Sequence, residues 1–345
     1  MNFWSDFEYN KLKLLLNPKK VQTILDVYNR TADYDSLPPI SIELHLTNVC
    51  NLNCSWCTDR RIRDNQTSQR KEDLLRLFTY CAKNNVGVTI EGGGEPTLHP
   101  DFLELLAHAA TQGLHLGMLT NGVKDVSQFA GQFDWIRFSL DAGSRKEFLV
   151  EKGADMFDQV LTNLGRLASA RDPQKTHVGV GYVLTNRNIA AISELLVVLD
   201  RIGVDYIYFR PIEETPELLP STANLLDLKK ALIAFSDISR IRPLLTINER
   251  LIASNDHLPC VAHSLACIIH ADGDVVLCEK RRHDPITLGN LRTSSFEDIW
   301  HSDIRRSATR KLLHAENQSG CSVCRITSFN RVFCDVNSVH TRHFI

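Results

Sequence analysis

Between Ile40 and Pro211 the chain alternates six times between a short run rich in β-branched and aromatic residues and a longer run with helical hydrophobic periodicity. That rhythm is the signature of βα units feeding one parallel sheet. Strands are predicted at 41–46, 86–90, 114–119, 135–140, 178–184 and 206–209, with helical faces such as Leu74, Leu77, Phe78 and Cys81 between them. Six units are too few for a closed eight-unit barrel, so the expected fold is α/β, a partial (β/α)6 barrel of the TIM type. Residues 1–38 read as an N-terminal helical appendage ended by Pro38-Pro39, residues 39–250 as the barrel, and residues 251–345 as a cysteine-rich extension.

The chain has 345 residues and a formal net charge of -2, so no basic field recruits nucleic acid. No apolar run is long enough to span a bilayer, and the N-terminus lacks the pattern of a secretory signal. The expectation is a cytoplasmic protein without nucleic-acid or membrane partners. Ten cysteines in that reducing setting point to metal binding or catalysis, not to disulfides. Cys81, alone on an apolar helical face, reads as a core residue.

Cys50, Cys54 and Cys57 directly follow the first strand, where a barrel places its chemistry. A closed zinc site would want a fourth ligand nearby, and the nearest histidine, His45, lies within the strand itself. A [4Fe–4S] cluster usually takes four thiolates, so three supplied locally leave one iron open. The C-x3-C-x-aromatic-C loop formed by Cys50, Cys54, Trp56 and Cys57 resembles the hallmark of the radical S-adenosylmethionine (radical SAM) superfamily. The resemblance implies that S-adenosylmethionine binds the open iron through its methionyl amine and carboxylate, with Trp56 among the residues at the cofactor. It further implies that Gly93, Gly94 and Glu95, in Gly92-Gly93-Gly94-Glu95-Pro96 after the second strand, contact the methionyl amine. Asn121, Ser139 and Asp141, after the third and fourth strands, fall where the family holds the ribose hydroxyls. The competing readings are turn chemistry for Asn121-Gly122 and a helix cap for Asp141. Arg210, closing the sixth strand, suits the methionyl carboxylate, an acidic substrate or a structural ion pair. Glu43 alternates with Ile42 and Leu44 and is placed facing the barrel interior. His99 reads as structural.

The second cysteine group, Cys260-x12-Gly273-x4-Cys278 followed by Cys321-x2-Cys324 and Cys334, resembles the SPASM or shorter twitch extension of the same superfamily, as does the stretch from Leu288 to Trp300. The resemblance implies one auxiliary [4Fe–4S] cluster on Cys260, Cys278, Cys321 and Cys324, with Cys267 and Cys334 as substitutes. A zinc ribbon would use paired Cys-x2-Cys units, and only Cys321 and Cys324 form one.

The activity so implied is reductive cleavage of S-adenosylmethionine to a 5'-deoxyadenosyl radical that abstracts hydrogen from a substrate. An external low-potential donor such as flavodoxin or ferredoxin is required, because the cluster must work at the negative end of its range. An auxiliary cluster that accepts an electron favours net dehydrogenation of a small molecule of sugar, aminocyclitol or nucleoside type. The short N-terminal segment supports that substrate class. The alternatives are epimerisation or decarboxylation of a sugar acid or nucleoside, maturation of a peptide, and a non-catalytic iron–sulfur or zinc module.

Overall fold

The computed structural model describes residues 6–63, 65–212, 215–245, 258–278, 285–314 and 326–338. Helices α1 (Asp6–Leu15) and α2 (Pro18–Tyr28) precede the sheet, with Pro18 opening the second, where its missing N–H costs nothing. Seven parallel strands follow, β1 (Ser41–Leu44), β2 (Gly87–Ile90), β3 (Leu116–Thr120), β4 (Trp135–Ser139), β5 (His177–Leu184), β6 (Tyr206–Pro211) and β7 (Arg242–Leu245), each paired with the next. Between them run α3 (Arg60–Arg63), α4 (Lys71–Lys83), α5 (Phe102–Gln112), α6 (Arg145–Lys152), α7 (Phe157–Ala170), α8 (Ile192–Ile202) and α9 (Thr222–Ser236).

All six expected strands are present, and two parallel strands are added to them. The first is β7, after α9. The second is β8 (Ala266–Ile269), which lies parallel to β1 with Cys267 opposite Ile42. The cysteine-rich region therefore extends the barrel sheet itself. From β8 the chain turns at Gly273, whose φ of 95° suits glycine, into β9 (Asp274–Val276) and then β10 (Thr287–Asn290), both antiparallel additions. The sheet thus has ten strands in the order β10-β9-β8-β1-β2-β3-β4-β5-β6-β7.

Helices α10 (Phe296–Trp300), α11 (Asp303–Leu312) and α12 (Thr327–Ser338) complete the described chain. The N-terminal helices pack on this region: Leu14 and Ile24 share a buried cluster with Val261, Leu265 and Phe333. Two hydrogen bonds hold that contact, Arg305 donating to the Asp35 carbonyl and Trp300 to Leu37 O, both at 2.8 Å, and a buried Lys20–Asp35 ion pair braces its N-terminal side. Among the described residues no helix is long and apolar enough to cross a membrane.

Strand periodicity decides what faces inward. Ile42 and Leu44, Ile136 and Phe138, and Ile207 and Phe209 are fully buried in the main core. Their alternates Ser41, Glu43, Trp135, Arg137, Tyr206, Tyr208 and Arg210 line a cavity of about 1360 Å³ inside the curved sheet. Glu43 faces that lumen, as its alternation implied. Cys81 is a buried core residue.

Candidate active site at the strand ends

The three cysteines occupy the loop that leaves β1, and all three are half-buried. This loop is tied to the C-terminal end of α6. Asn53 N–H donates to the Lys152 carbonyl and Ser55 N–H to the Glu151 carbonyl, both at 3.0 Å. The Glu151 carboxylate accepts from the Trp56 indole N–H at 3.1 Å and from the Ser55 hydroxyl at 3.2 Å, while Arg187 pairs with it at 2.9 Å. Trp56 is thereby a strut, its ring 5.0 Å from the Lys152 ammonium and its N–H spent on Glu151.

Positive charge surrounds the thiols. Arg60 donates to the Cys54 carbonyl at 2.6 Å, and Arg63 donates to the Leu52 carbonyl and lies 3.8 Å from Cys57 Sγ. Burial pushes the Cys50 and Cys54 thiols up, while the Leu52 N–H and Arg63 draw Cys50 back and Lys152 draws Cys54 back. Among the described residues no three His, Cys, Asp or Glu side chains converge tightly enough to hold a single metal ion, so the triad is wider than that. Cluster thiolates bind separate irons and need no such convergence, and cations about an anionic cluster suit its charge. The donor set fits a three-thiolate cluster.

The glycine loop lies along the segment that leads to Cys50. Gly94 N–H donates to Thr47 O and Glu95 N–H to Val49 O, both at 2.8 Å. A Cβ on Gly94 would sit 2.0 Å from Val49 O, and Gly93, at φ 63°, would bring one to 2.5 Å from Asn48 Oδ1. Here only glycine fits. Gly93 N–H donates to Asp59 at 3.1 Å.

Two of the expected site residues have buried internal partners. The Glu95 carboxylate is 2% exposed and accepts from Thr97 N–H, the Thr97 and Thr120 hydroxyls and Asn121 N–H at 2.7–3.2 Å. It clamps the glycine loop to the end of β3. Burial pushes this carboxyl up against the pull of those four donors. Asp141, at φ 56°, is likewise 2% exposed; it forms a buried ion pair with Lys152 and accepts from Val183 N–H at 2.6 Å. The helix that follows is capped by Ser144, so the cap reading does not describe Asp141. The Asn121 amide donates to Asn51 at 2.7 Å, joining the cysteine loop to β3. Ser139 ends β4 on the lumen face, and Arg210 lines the lumen near its mouth. His99 is structural, contacting Gln69 O at 3.0 Å. Glu151, Lys152 and Arg187 were not expected. Their partner loop lies about a hundred residues away, and no local pattern marks them.

Of the second cysteine group, Cys260 and Cys278 are half-buried, and Cys260 N–H donates to Leu312 O at 3.0 Å. Cys267 departs from its expected role. It is 1% exposed on β8, its thiol pushed up by burial and set near Cys81, so it is a core residue. Cys334 sits on α12 against the Tyr28 hydroxyl, which burial and that contact push up to about 12. Cys321 and Cys324 lie outside the described residues.

Two family descriptions match this chain: the Radical SAM superfamily over residues 44–199 and the SPASM iron–sulfur cluster-binding domain over residues 260–325. Mycofactocin maturase MftC of Mycobacterium tuberculosis is 26% identical over 331 residues, covering 88% of this chain and 79% of the relative. The tungsten-containing aldehyde ferredoxin oxidoreductase cofactor-modifying protein of Pyrococcus furiosus is 24% identical, covering 75% of this chain and 80% of its own length. Streptococcus suis SuiB, solved bound to the precursor peptide SuiA, shares the fold with a TM-score of 0.66 at 19% identity, over 87% of this chain and 72% of SuiB. The anSMEcpe structure with bound AdoMet gives 0.61 at 15% identity, over 89% of this chain and all of the other.

Proposed function

We propose that this chain, a member of the radical SAM superfamily that carries a SPASM domain, modifies a peptide. Its radical SAM domain implies a [4Fe–4S] cluster and S-adenosylmethionine, and SPASM domains bind auxiliary iron–sulfur clusters; the chain is an enzyme. The relatives carry the peptide reading, and the lumen inside the curved sheet is the place for its substrate. The small-molecule dehydrogenation expected from the short N-terminal segment has less support: the mycobacterial relative is named a maturase, and SuiB was solved on a precursor peptide.

In this proposal Cys50, Cys54 and Cys57 hold the cluster and leave one iron open. Cys260, Cys278, Cys321 and Cys324 hold the auxiliary cluster. When bound, the first cluster supplies the electron that cleaves S-adenosylmethionine. The residues of the chain do the rest. Arg60, Arg63 and Lys152 place positive charge about the cysteine loop, and the Glu151–Arg187 pair holds that loop against α6. Gly93 and Gly94 let the glycine loop lie directly against the Thr47–Val49 backbone that leads to Cys50, which sets the loop where the methionyl group would bind. Glu95 and Asp141 position these segments through their internal partners, and Ser139 and Arg210 are the side chains left facing the substrate. The lumen walls exclude water and orient the substrate hydrogen.

The test is anaerobic incubation with dithionite, S-adenosylmethionine and a library of uniformly deuterated peptides beside deuterated sugars, aminocyclitols and nucleosides. Deuterium in 5'-deoxyadenosine from a peptide is the expected result. Transfer from a sugar, aminocyclitol or nucleoside and from no peptide overturns the reading.

A further inference from the structure

The wall of the lumen formed by β4, β5 and β6 is furnished in an unusual way. Arg137 points inward from β4, and its guanidinium lies 5.1 Å from the Trp135 ring, 4.8 Å from Tyr208 and 5.8 Å from Tyr206. Glycines clear the space for this group. A Cβ on Gly117 would meet the Trp135 ring at 2.1 Å, one on Gly179 would meet Tyr206 at 2.2 Å, and one on Gly181 would stand 3.4 Å from Arg137 Cδ. Glycine within a strand marks close approach, and here it lets two rings and a guanidinium lie against the sheet.

Those rings lie about the cation at 4.8–5.8 Å and leave its terminal nitrogens to the lumen side. Arg137 Nε is buried without a hydrogen-bond partner, and among the described residues no carboxylate pairs with this side chain. A half-buried guanidinium with no carboxylate beside it is a ready partner for an anionic group that enters the lumen. Glu43 and Glu91 sit on the β1–β2 wall, and Arg137 and Arg210 place positive charge on the β4–β6 wall across from them.

We infer that Arg137 is a specificity-determining residue that receives a carboxylate of the substrate by a bidentate contact. This rests on the proposed peptide reading for its substrate class. Ser139 lies two residues further along the same face, one strand layer or about 7 Å nearer the mouth. A carboxylate on Arg137 therefore places the carbon to be attacked only a few bonds from that acid. The acid is either a side chain or the peptide C-terminus.

The test uses the reconstituted, S-adenosylmethionine-loaded full chain and three synthetic peptide probes of one length. One has an internal glutamate and an amidated C-terminus, one has a free C-terminal carboxylate and no acidic side chain, and one is neutral and amidated. The expected result is that one acidic probe binds about 10- to 100-fold tighter than the neutral one, the range of a charge-assisted contact. Which acidic probe it is names the source of the carboxylate. R137M should abolish the preference while leaving binding of the neutral probe and cluster iron unchanged, and R137K should keep part of it. Tyr208→Leu, which keeps the guanidinium but removes a ring that holds it, should weaken the same preference. Equal binding of all three probes to the unsubstituted chain overturns the role of Arg137 and leaves the peptide reading standing. An acid preference that R137M does not alter overturns it as well. If acidic sugars bind with full dependence on Arg137 and no peptide binds, the peptide reading fails and the carboxylate site stands.

Discussion

Lys152 is the residue on which most of the site's local order converges. Its ammonium is fully buried, paired with Asp141, beside the Trp56 ring and close enough to Cys54 to counter the thiol's upward shift. Removing one partner of a buried pair leaves the other uncompensated, at a cost of about 3–5 kcal/mol. Lys152→Met should lower the unfolding free energy by that amount in chemical denaturation, and the Asp141→Asn, Lys152→Met double variant should recover part of the loss. His263 gives a pH dependence of known sign. Burial, Arg305 and Lys20 depress its pKa to about 3 from the ordinary 6.5, so the unfolded chain takes the proton first. Stability is complete above about pH 6.5 and falls as pH drops from there toward 3, by up to about 1.4 kcal/mol per unit. Denaturation at pH 7 and pH 5.5 measures it, and His263→Gln should flatten the slope. The histidine's enclosure depends on α11 and the N-terminal helices meeting around it, and nothing in Ala262-His263-Ser264 announces that.

Among the elements, the strands were legible wherever one face meets helices and the other the lumen, as in Trp135–Ser139 and Tyr206–Pro211. β7 was not, because Arg242-Pro243-Leu244-Leu245 is four residues long and carries a proline, which reads as a break although an outer strand tolerates it. β8 was hidden by its setting: Ala266-Cys267-Ile268-Ile269 reads as part of a metal-binding segment, and only its pairing with β1 makes Cys267 a core residue. The cysteine triad and the glycine loop were legible because each is contiguous in the chain. The seam between the cysteine loop and α6 joins residues some 95 positions apart, so no spacing could reveal it. That seam predicts a phenotype. Glu151→Ala removes the acceptor of Trp56 and the counter-ion of Arg187, and loss of such an outer partner typically weakens metal retention about 10–100-fold. The rate of iron release to a chelator should rise accordingly, with the fold retained by circular dichroism.

Across the whole molecule, the first and last parts of the chain form one body with the sheet. α2, the Asp35 segment and α11 share a buried group of charges in which Lys20 and Arg305 both face Asp35, with Arg305 stacked 3.8 Å from the Trp300 ring. Asp35→Asn should destabilise the chain by about 3–5 kcal/mol although it lies far from the cysteine loop, and thermal unfolding of the reconstituted protein measures the change. The same arrangement sets α1 and α12 beside the lumen, whose lining includes Leu14 and Phe329. The central claim is that this molecule cleaves S-adenosylmethionine at a cluster held by Cys50, Cys54 and Cys57. Its most direct test is the 5'-deoxyadenosine formed under dithionite, anaerobically, by the fully iron-loaded chain and by its triple-alanine variant. The account predicts product from the first and none from the second, with the variant retaining the iron of the auxiliary site. Absence of product from the loaded chain, or equal product from both, would contradict it.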